Sequence, residues 1–224
     1  MKTNEELQKD VQDAIKWEPL LHAAEIGVTV KDGVVTLTGT VDSFAKKTEA
    51  ETATKNVAGV KAVVENIEIK FASTWAVKDD NEIATEVLNA FRWNWEIPDD
   101  TLKVKVQKGW VTLEGNVHWN YQREAAATAV RKLLGVTGVL NNIMVKSESH
   151  DAIERVDIEN ALKRNWSIDD AAIQVEVDGH KVKLTGTVDS WYQKEEAGRI
   201  AWNASGVWTV DNEIVIDYEY ALLD

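Results

Sequence analysis

The side chains able to do chemistry are few and poorly grouped. Acids stand in adjacent pairs at Asp79-Asp80, Asp99-Asp100 and Asp169-Asp170, a beginning for an oxygen-ligated divalent cation. None of the three pairs continues into the D-x-D-x-D-G spacing of a calcium loop. The first pair precedes a helical pattern, where aspartate caps free N–H groups and suits the positive end of the helix dipole. The four histidines, His22, His118, His150 and His180, show no zinc-ligand spacing. With no cysteine, disulfide and thiolate chemistry are both out of reach. The chain has no G-x-S-x-G, no G-x-G-x-x-G and no P-loop. These patterns assign no catalytic residue, no cofactor and no metal, and the expectation is a protein that is not an enzyme.

What the chain does contain is a phrase said three times. "DGVVTLTGTVDSF" from Asp32 returns as "KGWVTLEGNVHWN" from Lys108 and as "GHKVKLTGTVDSW" from Gly179. Shifts of 76 and 147 residues superimpose three copies without a gap for about 55 residues. Gly39, Gly115 and Gly186 coincide, as do Gly59, Gly135 and Gly206.

Each copy opens on a stripe at helical spacing, such as Val11, Ala14 and Ile15 or Val87, Ala90 and Phe91. Val28 and Val30, with Val104, Val106, Val175 and Val177, then alternate with polar residues, as a half-buried strand does. Val35 and Leu37 repeat the alternation after a turn, so the two strands make a hairpin. Gly33 and Gly109 supply the positive φ of that turn, and in the third copy Gly179 supplies it one position earlier, because His180 stands where Gly33 stood. Gly39 and its equivalents are expected to end the second strand. A second helix follows with alanines on its inner stripe (Ala50, Ala53, Ala126, Ala129). Gly59, Gly135 and Gly206 are placed at its C-terminal end, and a last strand holds Ile67 and Ile69.

The predicted class is therefore α+β: three tandem α-β-β-α-β units, each two helices on a three-stranded mixed sheet. The units are assigned to residues 1–72, 73–148 and 149–224, with a linker at 71–81. Small units bury little surface alone, so neighbours are expected to lean on one another.

Ten tryptophans are the most unusual feature of the composition. Trp95 and Trp166 align with each other and are expected in cores. Others do not repeat: Trp93 aligns with Arg164, Trp110 with Val34 and Lys181, Trp119 with Ser43 and Ser190, Trp202 with Lys55 and Arg131, and Trp208 with Lys61 and Thr137. A position held by lysine or arginine in a sister copy lies on the unit's surface, so these five suit contacts between units or with a protein partner. The formal charge of −13 argues against nucleic acid. Most of the excess lies in the last third, with 16 acids against 7 bases. No stretch approaches a membrane span. "MKTNEELQKD" lacks the apolar region of a secretory signal, which gives a cytoplasmic protein as an expectation.

The combination of hydrophobic-x-hydrophobic, G-x-V-x-L-x-G-x-V, a helix starting near Ser-Trp, and G-V-x-x-V-x-N-x-I resembles the BON domain, three times over. Asn66 and Asn142 match the asparagine of that pattern, whereas Glu213 departs from it with Asn212 one place earlier. The resemblance implies the α-β-β-α-β fold and a non-catalytic, osmotic-stress-associated binding or scaffold role through protein contacts or self-association. It also brings in a periplasmic location, transport-associated modules beside channels, a cytoplasmic potassium-binding alternative, and binding to anionic phospholipid. For the last, Lys103, Lys105 and Lys108 cluster on one hairpin.

Overall fold

A computed structural model describes residues 2–21, 26–71, 78–98, 101–146, 153–165, 167–168 and 172–217. The first unit runs α1 (Asn4–Trp17), β1 (Ile26–Lys31), β2 (Val34–Val41), α2 (Phe44–Lys55) and β3 (Ala62–Ile69). The second runs α3 (Asp80–Arg92), β4 (Leu102–Gln107), β5 (Trp110–Val117), α4 (Asn120–Arg131) and β6 (Gly138–Val145). The third runs α5 (Arg155–Lys163), β7 (Ile173–Asp178), β8 (Lys181–Val188) and α6 (Trp191–Trp202). Its last strand comes in two pieces, β9 (Thr209–Asn212) and β10 (Val215–Ile216). Of the linker expected at 71–81, residues 72–77 lie outside the described residues and α3 already begins at Asp80; the segment 147–152 also lies outside them.

Each unit is the predicted sandwich. The first two strands pair antiparallel, with Val28 opposite Leu37 and Val104 opposite Leu113, and the last strand joins the central one in parallel. Side chains on one sheet face meet the two helices; Val11, Ile15, Val35, Leu37 and Ala50 are essentially sealed from water. Three separate apolar clusters result, one per unit. Small residues at Ala50, Ala126 and Ala197 let the second helix approach the sheet, since a longer side chain there would hold the two layers apart.

The turns follow the sequence reading with two corrections. Asp32-Gly33 and Lys108-Gly109 have positive φ at both central positions, the requirement of a type I′ hairpin. In the third unit Asp178 still pairs with Lys181, so the hairpin has not slipped. Only Gly179 of its two central residues has positive φ, at 57°, as a type II′ turn needs. The first correction concerns Gly39, Gly115 and Gly186, which do not end their strands. They lie inside β2, β5 and β8 with φ of 127°, 134° and 121°. A Cβ on Gly115 or Gly186 would run into the carbonyl of Thr101 or Ala172, so close backbone approach requires the glycine there. Second, Gly59 does not cap α2: Asn56 does, and Gly59 follows in the turn closed by the Val60 N–H on the Val57 carbonyl.

The first helix also secures the hairpin. Asn4 Oδ1 accepts from the Asp32 N–H at 2.9 Å, and the equivalent Asp80 accepts from the Lys108 and Gly109 N–H groups at 2.8 and 2.9 Å. These donors, Gly109 first and Lys108 second, hold the Asp80 carboxyl below the usual aspartate range. Asp79 is the N-cap of α3, accepting from Asn81 and Glu82. That acidic pair is thus occupied by backbone donors; Asp99, Asp100, Asp169 and Asp170 lie outside the described residues.

Candidate interaction surface

The three second helices meet end to end. Trp191, the first residue of α6, donates from Nε1 to the Val60 carbonyl at 3.1 Å, and Lys55 at the end of α2 lies 5.6 Å from the centre of its ring. Trp202, the last residue of α6, packs against the second unit's cluster with the Arg123 guanidinium of α4 4.4 Å from its ring centre. Phe44, which opens α2, packs on that same cluster. Across a groove of about 660 Å³, Thr128, Arg131 and Lys132 at the end of α4 face Ala45, Thr48 and Thr52 of α2. The C-terminal end of each helix therefore meets the N-terminal end of the next, a cyclic arrangement closed within one chain.

Phe44, Asn120 and Trp191 are equivalent positions, as are Lys55, Arg131 and Trp202. One junction thus sets an aromatic helix start against a cationic helix end. At the junction of α6 with α4 the types are exchanged: Asn120 begins the helix and the tryptophan comes from the other side. Asn120 Oδ1 is buried there without a donor, the one such side-chain atom among the described residues.

The other tryptophans divide. Trp208 stacks on His180 with ring centres 4.0 Å apart and planes 6° from parallel, and His180 Nδ1 lies 2.8 Å from the Gly206 carbonyl. Trp110 lies over Gly138 on the neighbouring strand, filling the space that a side chain would take. Both contacts are inside a unit, not between units. Trp119 precedes α4 where the sister copies carry serine, and the Gln122 side chain accepts its N–H instead, at 3.0 Å. Trp93 is 86% exposed.

Trp95 corrects the core expectation: it is 87% exposed. It follows the end of α3 in the turn Trp93–Ile97, where Ile97 takes the buried place. Trp166 lies outside the described residues. Two residues escaped the sequence reading. Trp17, equivalent to Trp93, is also 86% exposed, and its signal was the 76-residue shift itself. Trp191 was hidden because its equivalents are Phe44 and Asn120.

The asparagine register also changes. Asn141 donates from Nδ2 to the Arg123 carbonyl at 3.1 Å and accepts the Ile143 N–H at 3.2 Å. Asn212 does the same with the Lys194 carbonyl and the Ile214 N–H. The departing residue is therefore Glu65, which accepts the Ile67 N–H at 2.8 Å and pairs with Lys47 at 3.1 Å. Asn66 and Asn142 point outward, away from the helices.

The outer sheet faces differ in character. The third unit closes its face with Lys181–Asp211 and Lys183–Glu213 pairs, both at 2.9 Å. The second unit instead presents Lys103, Lys105 and Lys108 beside Trp110, Leu140 and Met144, all exposed. Among the described residues, no three His, Cys, Asp or Glu side chains converge as metal ligands, and no helix is long and apolar enough to cross a membrane.

The chain is 29% identical over 144 residues to Osmotically-inducible protein Y of Escherichia coli (strain K12), covering 61% of this chain and 72% of that one. A solved C-terminal domain of CdsD, described as a structural protein of the Type III secretion system of Chlamydia trachomatis, aligns over 97% of this chain and 100% of its own. The sequence identity is 16% and the TM-score 0.26. A second CdsD structure gives 16% identity and a TM-score of 0.24 over 96% of this chain and 95% of its own. The model of the BON domain family matches residues 3–70, 79–147 and 150–218, and with three copies of that domain covering most of its length, the chain belongs to the BON domain family.

Proposed function

We propose that this chain is a non-catalytic, stress-associated scaffold that acts through protein contacts of its BON domains. The observation that carries the reading is the exposure of three tryptophans, Trp17, Trp93 and Trp95, at 86%, 86% and 87%. Tryptophan in water is costly and contributes most at protein interfaces. The residues common to all three copies are glycine and aliphatic, serving turns and packing, which supports a non-catalytic role. The osmotically inducible relative supports the link to stress. The test is affinity capture from lysate of salt-stressed cells, with the Trp17→Ala, Trp93→Ala and Trp95→Ala triple variant as comparison. Wild type retains a defined protein that the equally stable triple variant loses. Identical capture by both sinks the reading.

A second reading, contact with anionic phospholipid, draws support from the lysines beside Trp110, Leu140 and Met144 on the second unit. Three lysines near such a surface contribute about 1 kcal/mol each, against the repulsion of a chain of net charge −13. Flotation with phosphatidylglycerol vesicles, abolished by Lys103→Glu and Lys105→Glu, tests it.

A further inference from the structure

Edge strands of soluble proteins are normally protected by charge or interruption, because their free N–H and C=O groups invite another strand. Five of the sheet edges among the described residues obey. β1 carries Lys31, β4 carries Lys103 and Lys105, and β7 carries Glu176 and Asp178. β3 carries Glu65 and Glu68, and the last strand of the third unit is acidic and broken into β9 and β10. β6, Gly138–Val145, reads GVLNNIMV: eight residues without a charge, paired with β5 alone.

The hydrogen bonds fix which groups of β6 are open. The Lys146 N–H reaches the Val117 carbonyl at 2.7 Å, continuing the parallel ladder through even-numbered residues. The Ile143 N–H turns to its own Asn141 side chain. Val139, Asn141, Ile143 and Val145 therefore present their backbone groups along the open edge. Beside that edge, on the outer face, Leu140 and Met144 are 50% and 54% exposed.

We infer that β6 is a self-pairing edge, joining antiparallel to β6 of a second copy of this chain. Centred on Asn142, the pairing sets Leu140 opposite the second copy's Met144 and Met144 opposite its Leu140. Asn141 and Ile143 then exchange backbone bonds across the twofold axis, and the 3.2 Å side-chain bond to Ile143 gives way to an inter-chain one. The result is one continuous six-stranded sheet, with apolar pairs where water now stands and no like charges brought together. No sister edge can copy this: in the same register β3 would set the charged Glu68 opposite Val64 where β6 sets Met144 opposite Leu140, and β9 ends before a full ladder forms. This surface is distinct from the exposed tryptophans, so either reading can fail alone.

The absence of cysteine makes the test direct. In the centred register the two Asn142 residues form a non-hydrogen-bonded pair with Cα atoms about 4.5 Å apart, within disulfide reach. On mild oxidation the full-length Asn142→Cys variant forms a covalent dimer, and Asn66→Cys, at the same position of the first unit's edge, does not. In sedimentation equilibrium the unmodified chain dimerises reversibly. Met144→Lys and Leu140→Glu each weaken that association about ten-fold, whereas a mixture of the two variants recovers it, because the lysine introduced on one copy then faces the glutamate introduced on the other. Equal cross-linking of both cysteine variants, a monomer at every concentration up to about 100 μM, or an association indifferent to Met144→Lys would each overturn the inference.

Discussion

Replacing Trp202 by lysine, the residue type its equivalents Lys55 and Arg131 would tolerate, tests whether the three BON domains stabilise one another. A tryptophan side chain offers roughly 200 Å², and Trp202 is half-buried between its own helix and the second unit's cluster. Losing roughly 120 Å² of apolar contact at about 25 cal/mol per Å² costs about 3 kcal/mol. The Arg123 guanidinium, 4.4 Å from the ring centre, adds about 0.5–1 kcal/mol. The lysine also meets that arginine as a like charge. The expected loss is about 4 kcal/mol, placed on one junction of the ring and not on any core. Urea unfolding of the full chain, followed by far-UV circular dichroism and by tryptophan fluorescence, then changes from one shared transition to two. The second and third units separate while the Trp191 contact to Val60 still ties the third to the first. A loss under about 1 kcal/mol with coincident transitions would refute the idea that this tryptophan couples the units.

Glycine supplies a sharp contrast elsewhere. Gly115→Ala forces a Cβ into the Thr101 carbonyl at a φ of 134° and costs about 3 kcal/mol or more, whereas Gly179→Asn, at a φ of 57° with open space around it, costs under about 1 kcal/mol; thermal melts compare them. The Asp80 carboxyl is held low by backbone donors. Its clamp on the second hairpin is complete above the ordinary aspartate range and is lost as pH falls through its lower folded value, so the protection of the Lys108 and Gly109 amides, relative to their intrinsic exchange at each pH, falls there. Asp80→Asn, which copies Asn4 of the first unit, keeps one of the two bonds through its single carbonyl oxygen and removes that pH dependence; amide exchange followed by NMR reads both.

The amino-acid sequence alone determined the unit. Period-two alternation at Val28, Val30, Val35 and Leu37 and the helical stripe at Val11 and Ile15 each name an element and the face it buries, because side-chain direction follows backbone geometry within a few residues. Repetition fixed the order of elements, and glycines fixed the turns, since positive φ is a local demand. Even there, Gly39 and its equivalents needed the folded backbone: the carbonyl that forbids a side chain at Gly115 belongs to Thr101, fourteen residues earlier and across the sheet.

The fate of each tryptophan belonged to tertiary structure. Alignment could say that Trp202 and Trp208 stand where sister copies hold polar or charged residues, and so lie on the unit's surface. It could not say that Trp202 meets Arg123 of another unit while Trp208 meets His180 of its own. Trp95 looked interior by its aligned partner and is not, because Ile97 reaches the core first. Which surface meets which depends on how three nearly alike bodies close into a ring. That closure is set by contacts between residues about 80 to 130 positions apart, such as Trp191 and Val60 or Trp202 and Arg123, for which periodicity and propensity, being local, hold no record.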